Sequence, residues 1–366
     1  MNVTNEVGTL KEVGLFGPPG IETYLAQFYP PEISHFFESF DICAGHQEFL
    51  GFQSLLSELG ITILDLKGAY ALKLESPTLS SEELVDKLVK KIEDSPHTTE
   101  SPNKSTLEYL LQLDANSYGE EAAVALNEAL SLNPELPLGN IFFARDQANV
   151  LFDTCFLSNM KNEIRKPEVA IIKSALLEMG CTNFYQVSEG TFEGGDAMII
   201  GGDVYIGCGM RTDPKAVAEI ATELYKKGID TYQLSVPDQG SWKGNMEIMH
   251  FDTFGMHVDD SIVYGCKSVF YQCTATSMQT KKTESLMDHF ITKGITVEDI
   301  PQEEQKNYAA NMLVVAPKTV IVASDYNPKT TAKLQNNGVQ VYSAKLEHLT
   351  QAVGATHCMA LQTVKV

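Results

Sequence analysis

Apolar and polar positions follow two rhythms along this chain. LKEVGLFGPP (Leu10–Pro19) reads as a strand closed by a Gly-Pro turn. HQEFLGFQSLLSELG (His46–Gly60) repeats apolar residues at helical spacing and stops at Gly60. ITILDLKG is a second β-branched run. From Glu75 to Pro137 the strand rhythm is absent. SSEELVDKLVKKIEDS, STLEYLLQL and GEEAAVALNEAL are helical by period, and Ser80 or Ser81 offers an N-cap ahead of acidic first-turn residues. SPHTTESPNKS is a polar, proline-containing loop. The pattern predicts an all-helical insertion over residues 75–137 inside a single α/β domain spanning 1–366.

Beyond Pro137 a motif recurs. GNIFFARD (Gly139–Asp146), GNMEIMHFD (Gly244–Asp252) and AANMLVVAP (Ala309–Pro317) each set a small residue and Asn before an apolar stretch that reads as a strand. EGGDAMIIGGDVYIGCG predicts a hairpin, with AMII and VYIG flanking a tight GGD turn. PKAVAEIATELYKKG and ESLMDHFITKG are helical and follow the strand groups. Strand groups and helices alternating at this spacing suggest repeated modules around an axis. The C-terminal GATHCMALQTVKV reads as strand, turn, strand, with Cys358 in the turn.

Composition narrows the functional classes. The 366 residues carry 27 Lys and Arg against 48 Asp and Glu, a net charge of −21, which disfavours nucleic acid and anionic lipid and suits a cationic substrate. No apolar run has the length of a membrane span, and the N-terminus lacks a signal-peptide pattern, so cytoplasmic residence is expected. Seven cysteines without a CxxC pair point to reduced thiols, most of them buried. No metal and no cofactor are expected: the HFD pair has no third ligand at a metal spacing. Association into a homo-oligomer is left open.

The apolar segments end in charge where turns are usual. NIFFARD ends on Arg145-Asp146, HFD sets His250 and Asp252 on one face of a predicted strand, and FEGGD presents Glu193 and Asp196 around two glycines. Each residue alone reads as well as structure: a core cysteine, a satisfied histidine, a surface ion pair, a turn cap. Together they supply a thiol, an imidazole and several carboxylates. Thiol and imidazole make a nucleophile. A cysteine protease would need donors for an oxyanion, whereas ionised carboxylates only accept. Carboxylates around a nucleophile suit a planar guanidinium.

These residues resemble the arginine deiminase family of the guanidine-modifying (pentein) superfamily. GNIFFARD is similar to its N-x-x-F-x-R-D segment, EGGD to its glutamate motif, HFDT to its H-x-D-T, and HCM to its nucleophile loop. MKNEIRKPE (Met160–Glu168) and MRTD (Met210–Asp213) resemble two further stretches, and the helical insertion is a mark of deiminases over the smaller dimethylarginine hydrolases. The resemblance implies a five-bladed α/β propeller of ββαβ modules. It implies that Cys358 attacks the guanidinium carbon, that Asp146 and Asp252 hold the guanidinium nitrogens, and that His250 works as acid and then base. Glu193 would orient the substrate, and Asn140, Arg165 and Arg211 would bind an amino-acid carboxylate. L-Arginine, hydrolysed to L-citrulline and ammonia, is the implied reaction.

Two positions and one stretch depart from the pattern. Val353 stands five residues before the cysteine where the family carries arginine, Gln147 follows Asp146 where proline is usual, and FDICAGHQEF matches the N-terminal acidic segment only loosely. Free arginine remains the first substrate because Asn140, Arg165 and Arg211 persist, and another guanidine is the second. An amidinotransferase or a diverged, non-catalytic binding module are the alternatives.

Overall fold

Five times along the chain, two antiparallel strands are joined through a helix to a third strand that runs parallel to the second. This is seen in a computed structural model that describes residues 1–36, 38–133, 136–237, 248–323 and 326–366. Ala148–Leu151 and Thr154–Leu157 pair antiparallel, and Phe184–Gln186 lies parallel beyond the helix Lys166–Glu178. Ala197–Ile200, Asp203–Cys208 and Thr231–Ser235 repeat this around the helix Pro214–Tyr225, and Thr274–Ser277 and Thr283–Ser285 extend that sheet to five strands. Gly255–Asp259, Ile262–Gly265 and Thr296–Asp299 form the next sheet, and Leu313–Ala316, Thr319–Ala323 and Gln340–Ala344 another. The remaining unit takes its strands from both ends of the chain. Leu361–Lys365 runs antiparallel to Leu10–Leu15, which pairs parallel with Thr62–Asp65 across the helix Ile42–Glu58. Asn2–Val3 closes the outer edge of Leu361–Lys365.

Local chemistry explains the elements the pattern predicts. Ala148–Leu151, Thr154–Leu157 and Ala197–Ile200 are buried at every position, as strands covered on both faces must be. The hairpin into Asp203 turns through Gly201 and Gly202 at φ of +60° and +86°, a region side chains avoid. Asp41 caps Ile42–Glu58 through the amides of Cys43 and Ala44, and Gly60 ends the helix at φ +74°. Ser80 and Glu83 form a reciprocal capping box on Ser81–Glu93, a cap contributing about 1 kcal/mol.

Within residues 75–137 the structure holds the helices Ser81–Glu93, Lys104–Tyr118 and Glu120–Ser131. Their apolar faces, among them Leu84, Leu88, Leu107 and Val124, share one cluster with Leu15, Phe49 and Leu313 of the sheet-bearing part. A buried ion pair, Lys67 Nζ to Asp114 Oδ1 at 2.9 Å, crosses the same boundary, and Asn127 satisfies the other Asp114 oxygen at 2.9 Å. No helix among the described residues is long and apolar enough to cross a membrane.

Three predicted strand ends prove to be short bends. GNIFFARD is a turn followed by one helical turn, Ala144–Gln147, and the strand starts only at Ala148. Its Ile141, Phe142 and Phe143 are buried as a compact turn, so the apolar run reflects burial and not extension. In HFDT, His250 is extended but Phe251–Phe254 is helical; Gly244–Glu247 of the same motif lie outside the described residues. GATHCMALQTVKV is one helical turn, Thr356–Met359, leading into a single strand.

Candidate active site

Those bends are where the candidate residues gather. Four of the five units have one immediately before the first strand: Ala144–Gln147 carries Asp146, Gly194–Asp196 follows Glu193, Phe251–Phe254 follows His250 and carries Asp252, and Thr356–Met359 carries Cys358. In the remaining unit Asn311 stands just ahead of Leu313–Ala316. Asp146, Glu193, His250, Asp252 and Cys358 are each at most 2 % exposed.

Cys358 donates to Asp252 Oδ2 at 3.8 Å. Its own amide and that of Ala355 donate to Asn311 Oδ1, each at 3.1 Å, while Asn311 Nδ2 reaches the Asp252 carbonyl at 3.2 Å. One asparagine thus fixes both the nucleophile turn and the carboxylate turn. Burial and then the charges of Asp252 and Asp146 push the thiol pKa well up, so the resting group is a thiol. Asp252 Oδ2 also accepts from His357 Nδ1 at 2.7 Å, and its Oδ1 has no partner among the described residues.

His250 lies between two carboxylates. Nε2 meets Glu193 Oε2 at 2.9 Å, and Nδ1 is 3.6 Å from Asp146 Oδ1. Burial alone lowers the imidazole pKa, but Asp146, the bond to Glu193 and the charge of Asp196 outweigh it and hold the group up at about 9. Burial raises the Glu193 carboxyl, and Arg211 with His250 brings it below its ordinary value. The pair is therefore imidazolium and carboxylate at neutral pH. Gly195 permits this contact: a Cβ there would stand 2.9 Å from His250 Nδ1 and 3.2 Å from Asp146 Oδ1.

Arg165 does something the sequence did not suggest. Its guanidinium is consumed by protein: Nη1 on Asp146 Oδ2 at 2.9 Å, Nε on Glu168 Oε2 at 3.0 Å, Nη2 on the Asn140 carbonyl at 3.3 Å. Gln147 Nε2 donates to the same Glu168 oxygen at 2.6 Å. Asn140 spends its side-chain amide on Ser34 O at 2.8 Å. Asp146 thus has one oxygen neutralised by Arg165 and the other, Oδ1, without a hydrogen bond among the described residues. Arg211 is looser, with Nη1 3.6 Å from Glu193 Oε1 and Nη2 3.9 Å from the Met249 sulfur. Val353, buried and at φ +71°, packs with Met249 beside Met210 and Tyr308.

All eight sequence candidates are accounted for. Asp146, Arg165 and Asn140 are joined by direct contacts, as are Glu193, His250 and Arg211 and, separately, Asp252 and Cys358; Asp146 links the first two groups. Sequence reasoning missed Asn311, His357, Glu168 and His35. Asn311 had a signal, since it is the asparagine of the recurrent motif before a strand. His35 has none: it sits at φ +65°, and burial, then Arg211 and Arg165, push its pKa down to about 3, a neutral imidazole beside two guanidiniums. Ligand atoms of Asp146, Glu193 and His250 lie within 4.8 Å of one another, a spacing that can hold a cation. The imidazolium and Arg165 already put positive charge there.

The arginine deiminase family model matches residues 41–364. Arginine deiminase of Limosilactobacillus reuteri is 25 % identical over 100 % of this chain and 98 % of its own length. That of Streptococcus gordonii is 25 % identical over 99 % of this chain and 97 % of its own. Among solved structures, a DDAH from Pseudomonas aeruginosa complexed with citrulline is similar at a TM-score of 0.60 and 15 % identity, covering 97 % of this chain and 100 % of that one. A mixed α/β fold of this kind, matched in sequence across nearly all its length, places the chain in the arginine deiminase family.

Proposed function

We propose that the protein hydrolyses L-arginine to L-citrulline and ammonia through a thiouronium on Cys358. The observation that carries this reading is the pair of buried acceptors without a hydrogen bond among the described residues, Asp252 Oδ1 and Asp146 Oδ1, around a thiol whose ionisation burial and those same two carboxylates suppress. A guanidinium docking there supplies N–H donors to both oxygens and positive charge to the sulfur. It lowers the thiol pKa as it binds, and the thiol proton leaves toward Asp252 Oδ2.

The sulfur then bonds to the guanidinium carbon, a C–N bond breaks, and His250 gives its proton to the departing ammonia. The neutral imidazole next takes a proton from water as the oxygen attacks the thiouronium carbon. The C–S bond breaks, and the proton of the newly added hydroxyl passes to the departing sulfur to restore the thiol. The proton held on Asp252 leaves with ammonia as ammonium, so that citrulline departs from an enzyme in its starting state. Two covalent steps replace one difficult displacement, and the carboxylates stabilise a cation throughout. Glu193 keeps the imidazole oriented. Arg211 and Asn140 would face the amino-acid end, and Arg165 joins them only by releasing Asp146. The proposed scaffold is a single domain in which the five units form five propeller blades and residues 75–137 are a helical insertion.

The test is direct: purified protein with arginine should release citrulline and ammonia in equal amounts, and Cys358→Ala should release neither. Absence of product from reduced enzyme would defeat the reading. A second reading, a guanidine without an α-carboxylate, is favoured by two observations: the fork of Arg165 is occupied, and Val353, Met249 and Met210 make an apolar patch beside Arg211. Turnover of agmatine above that of arginine would select it.

A further inference from the structure

Behind the two carboxylates lies a second buried polar cluster that the proposed chemistry does not use. His357 Nδ1 holds Asp252 Oδ2 at 2.7 Å, and the far nitrogen of the same ring lies 3.4 Å from Glu6 Oε1. Gln362 Nε2 donates to that Glu6 oxygen at 2.7 Å, and Lys365 Nζ stands 3.5 Å away. The other Glu6 oxygen is 3.8 Å from Arg145 Nη2. Arg145 directly precedes Asp146, and the same Nη2 donates to the Ala197 carbonyl at 3.0 Å, next to Asp196. Glu6, His357, Arg145, Gln362 and Lys365 are each at most 1 % exposed.

We propose that Glu6 is a positioning residue common to both carboxylate arms of the site, acting on Asp252 through His357 and on the Asp146 turn through Arg145. The inference rests on the guanidinium reading of the site. A carboxylate that grips a planar cation must present its free oxygen in a fixed direction, and misplacement by a fraction of an ångström erodes the rate. Asp252 has one oxygen pinned by His357 and the other unpartnered, so the angle of the His357 ring sets where the free oxygen points. That angle is fixed at the ring's far edge, where Glu6 and Gln362 meet it. Glu6 also supplies the charge that keeps Arg145 and Lys365 tolerable in a dry interior; burial raises its carboxyl, and Lys365, His357 and Arg145 together bring it well below its ordinary value. Glu6 touches no reacting atom.

The test uses Cys358 alkylation as a readout independent of turnover. The full chain is treated with 2-chloroacetamidine, a planar cation, and separately with neutral iodoacetamide, and the Cys358 adduct is quantified by peptide mass. Wild type should favour the amidinium by about tenfold or more. Folded Glu6→Gln should lose most of that preference and, with a guanidine substrate, show kcat reduced about tenfold or more with KM changed far less. Glu6→Gln leaves Arg145 and Lys365 without their carboxylate, so His357→Asn is the second variant. It keeps a donor opposite Asp252 Oδ2, cannot reach Glu6, and leaves the core charges paired; the same loss is expected. Retention of the wild-type preference and kcat in either folded variant overturns the inference alone. A wild type without cationic preference overturns the guanidinium reading, and the inference falls with it.

Discussion

The Cys358 sulfur rests 3.8 Å from Asp252 Oδ2, so the nucleophile shares its pocket with the carboxylate that holds it protonated. Replacing Asp252 by Asn should therefore speed Cys358 alkylation by neutral iodoacetamide near pH 8, because removing a negative neighbour lowers the thiol pKa. The same change should reduce guanidine turnover by about a hundredfold or more, since one arm of the clamp is gone. Paired alkylation and citrulline assays on one preparation check both directions. Slower alkylation in Asp252→Asn would remove the electrostatic account of the resting thiol.

Protonated His250 is required when ammonia leaves. Turnover should fall as pH rises through about 9, the value its carboxylate neighbours impose. The same shift is a stability statement. The folded-state pKa is above the ordinary 6.5, so the contribution is complete below about 6.5 and is lost as pH climbs through about 9. Urea midpoints measured from pH 6 to 10 should decline over that window, and His250→Gln should flatten the decline.

Asn311 holds two buried amides and one carbonyl at the junction of the nucleophile and carboxylate turns. Asn311→Ala leaves those groups without their partner, at a cost of about 1–3 kcal/mol for each orphaned donor. A lower urea midpoint together with impaired turnover is expected. Unchanged turnover in a folded Asn311→Ala would show that the turn keeps its shape unaided.

Lys67 and Asp114 bridge the helices of residues 75–137 and the sheet-bearing part with no exposed surface on Lys67. Asp114→Ala removes the ammonium's hydrogen-bonded carboxylate and leaves it on the Pro18 carbonyl at 3.0 Å, and loss of one partner of a buried pair costs about 3–5 kcal/mol. Chemical denaturation should keep a single transition at a lower midpoint. Two separated transitions would contradict the single-domain proposal.

How much of this was legible beforehand depended on how local the cause was. The hairpin through Gly201 and Gly202, the stop at Gly60 and an N-cap at Ser80 or Ser81 were readable because each is decided within a few residues. The thiol, the imidazole and the acidic residues were readable as motifs. The bends at Ala144–Gln147, Phe251–Phe254 and Thr356–Met359 were not, because apolar residues packed into a buried turn leave the same trace as a strand. The capture of Asp146 by Arg165 was equally hidden, since it joins side chains 19 residues apart in the chain by a geometry no spacing encodes. Glu6 lies 351 residues from His357, and only the sheet that pairs strands from both ends of the chain brings them together.

The strand Leu361–Lys365 slots between Asn2–Val3 and Leu10–Leu15, directly after the turn that bears the sulfur. The Thr356–Met359 turn and this strand are continuous, so the strand's seat in the sheet fixes where the sulfur stands relative to Asp252. The same seat carries His357, so the contact of that ring with Asp252 depends on it as well. Cleavage that released Leu361–Lys365 would loosen the sulfur and the imidazole behind Asp252 together, so on the proposed chemistry a single cut would abolish turnover.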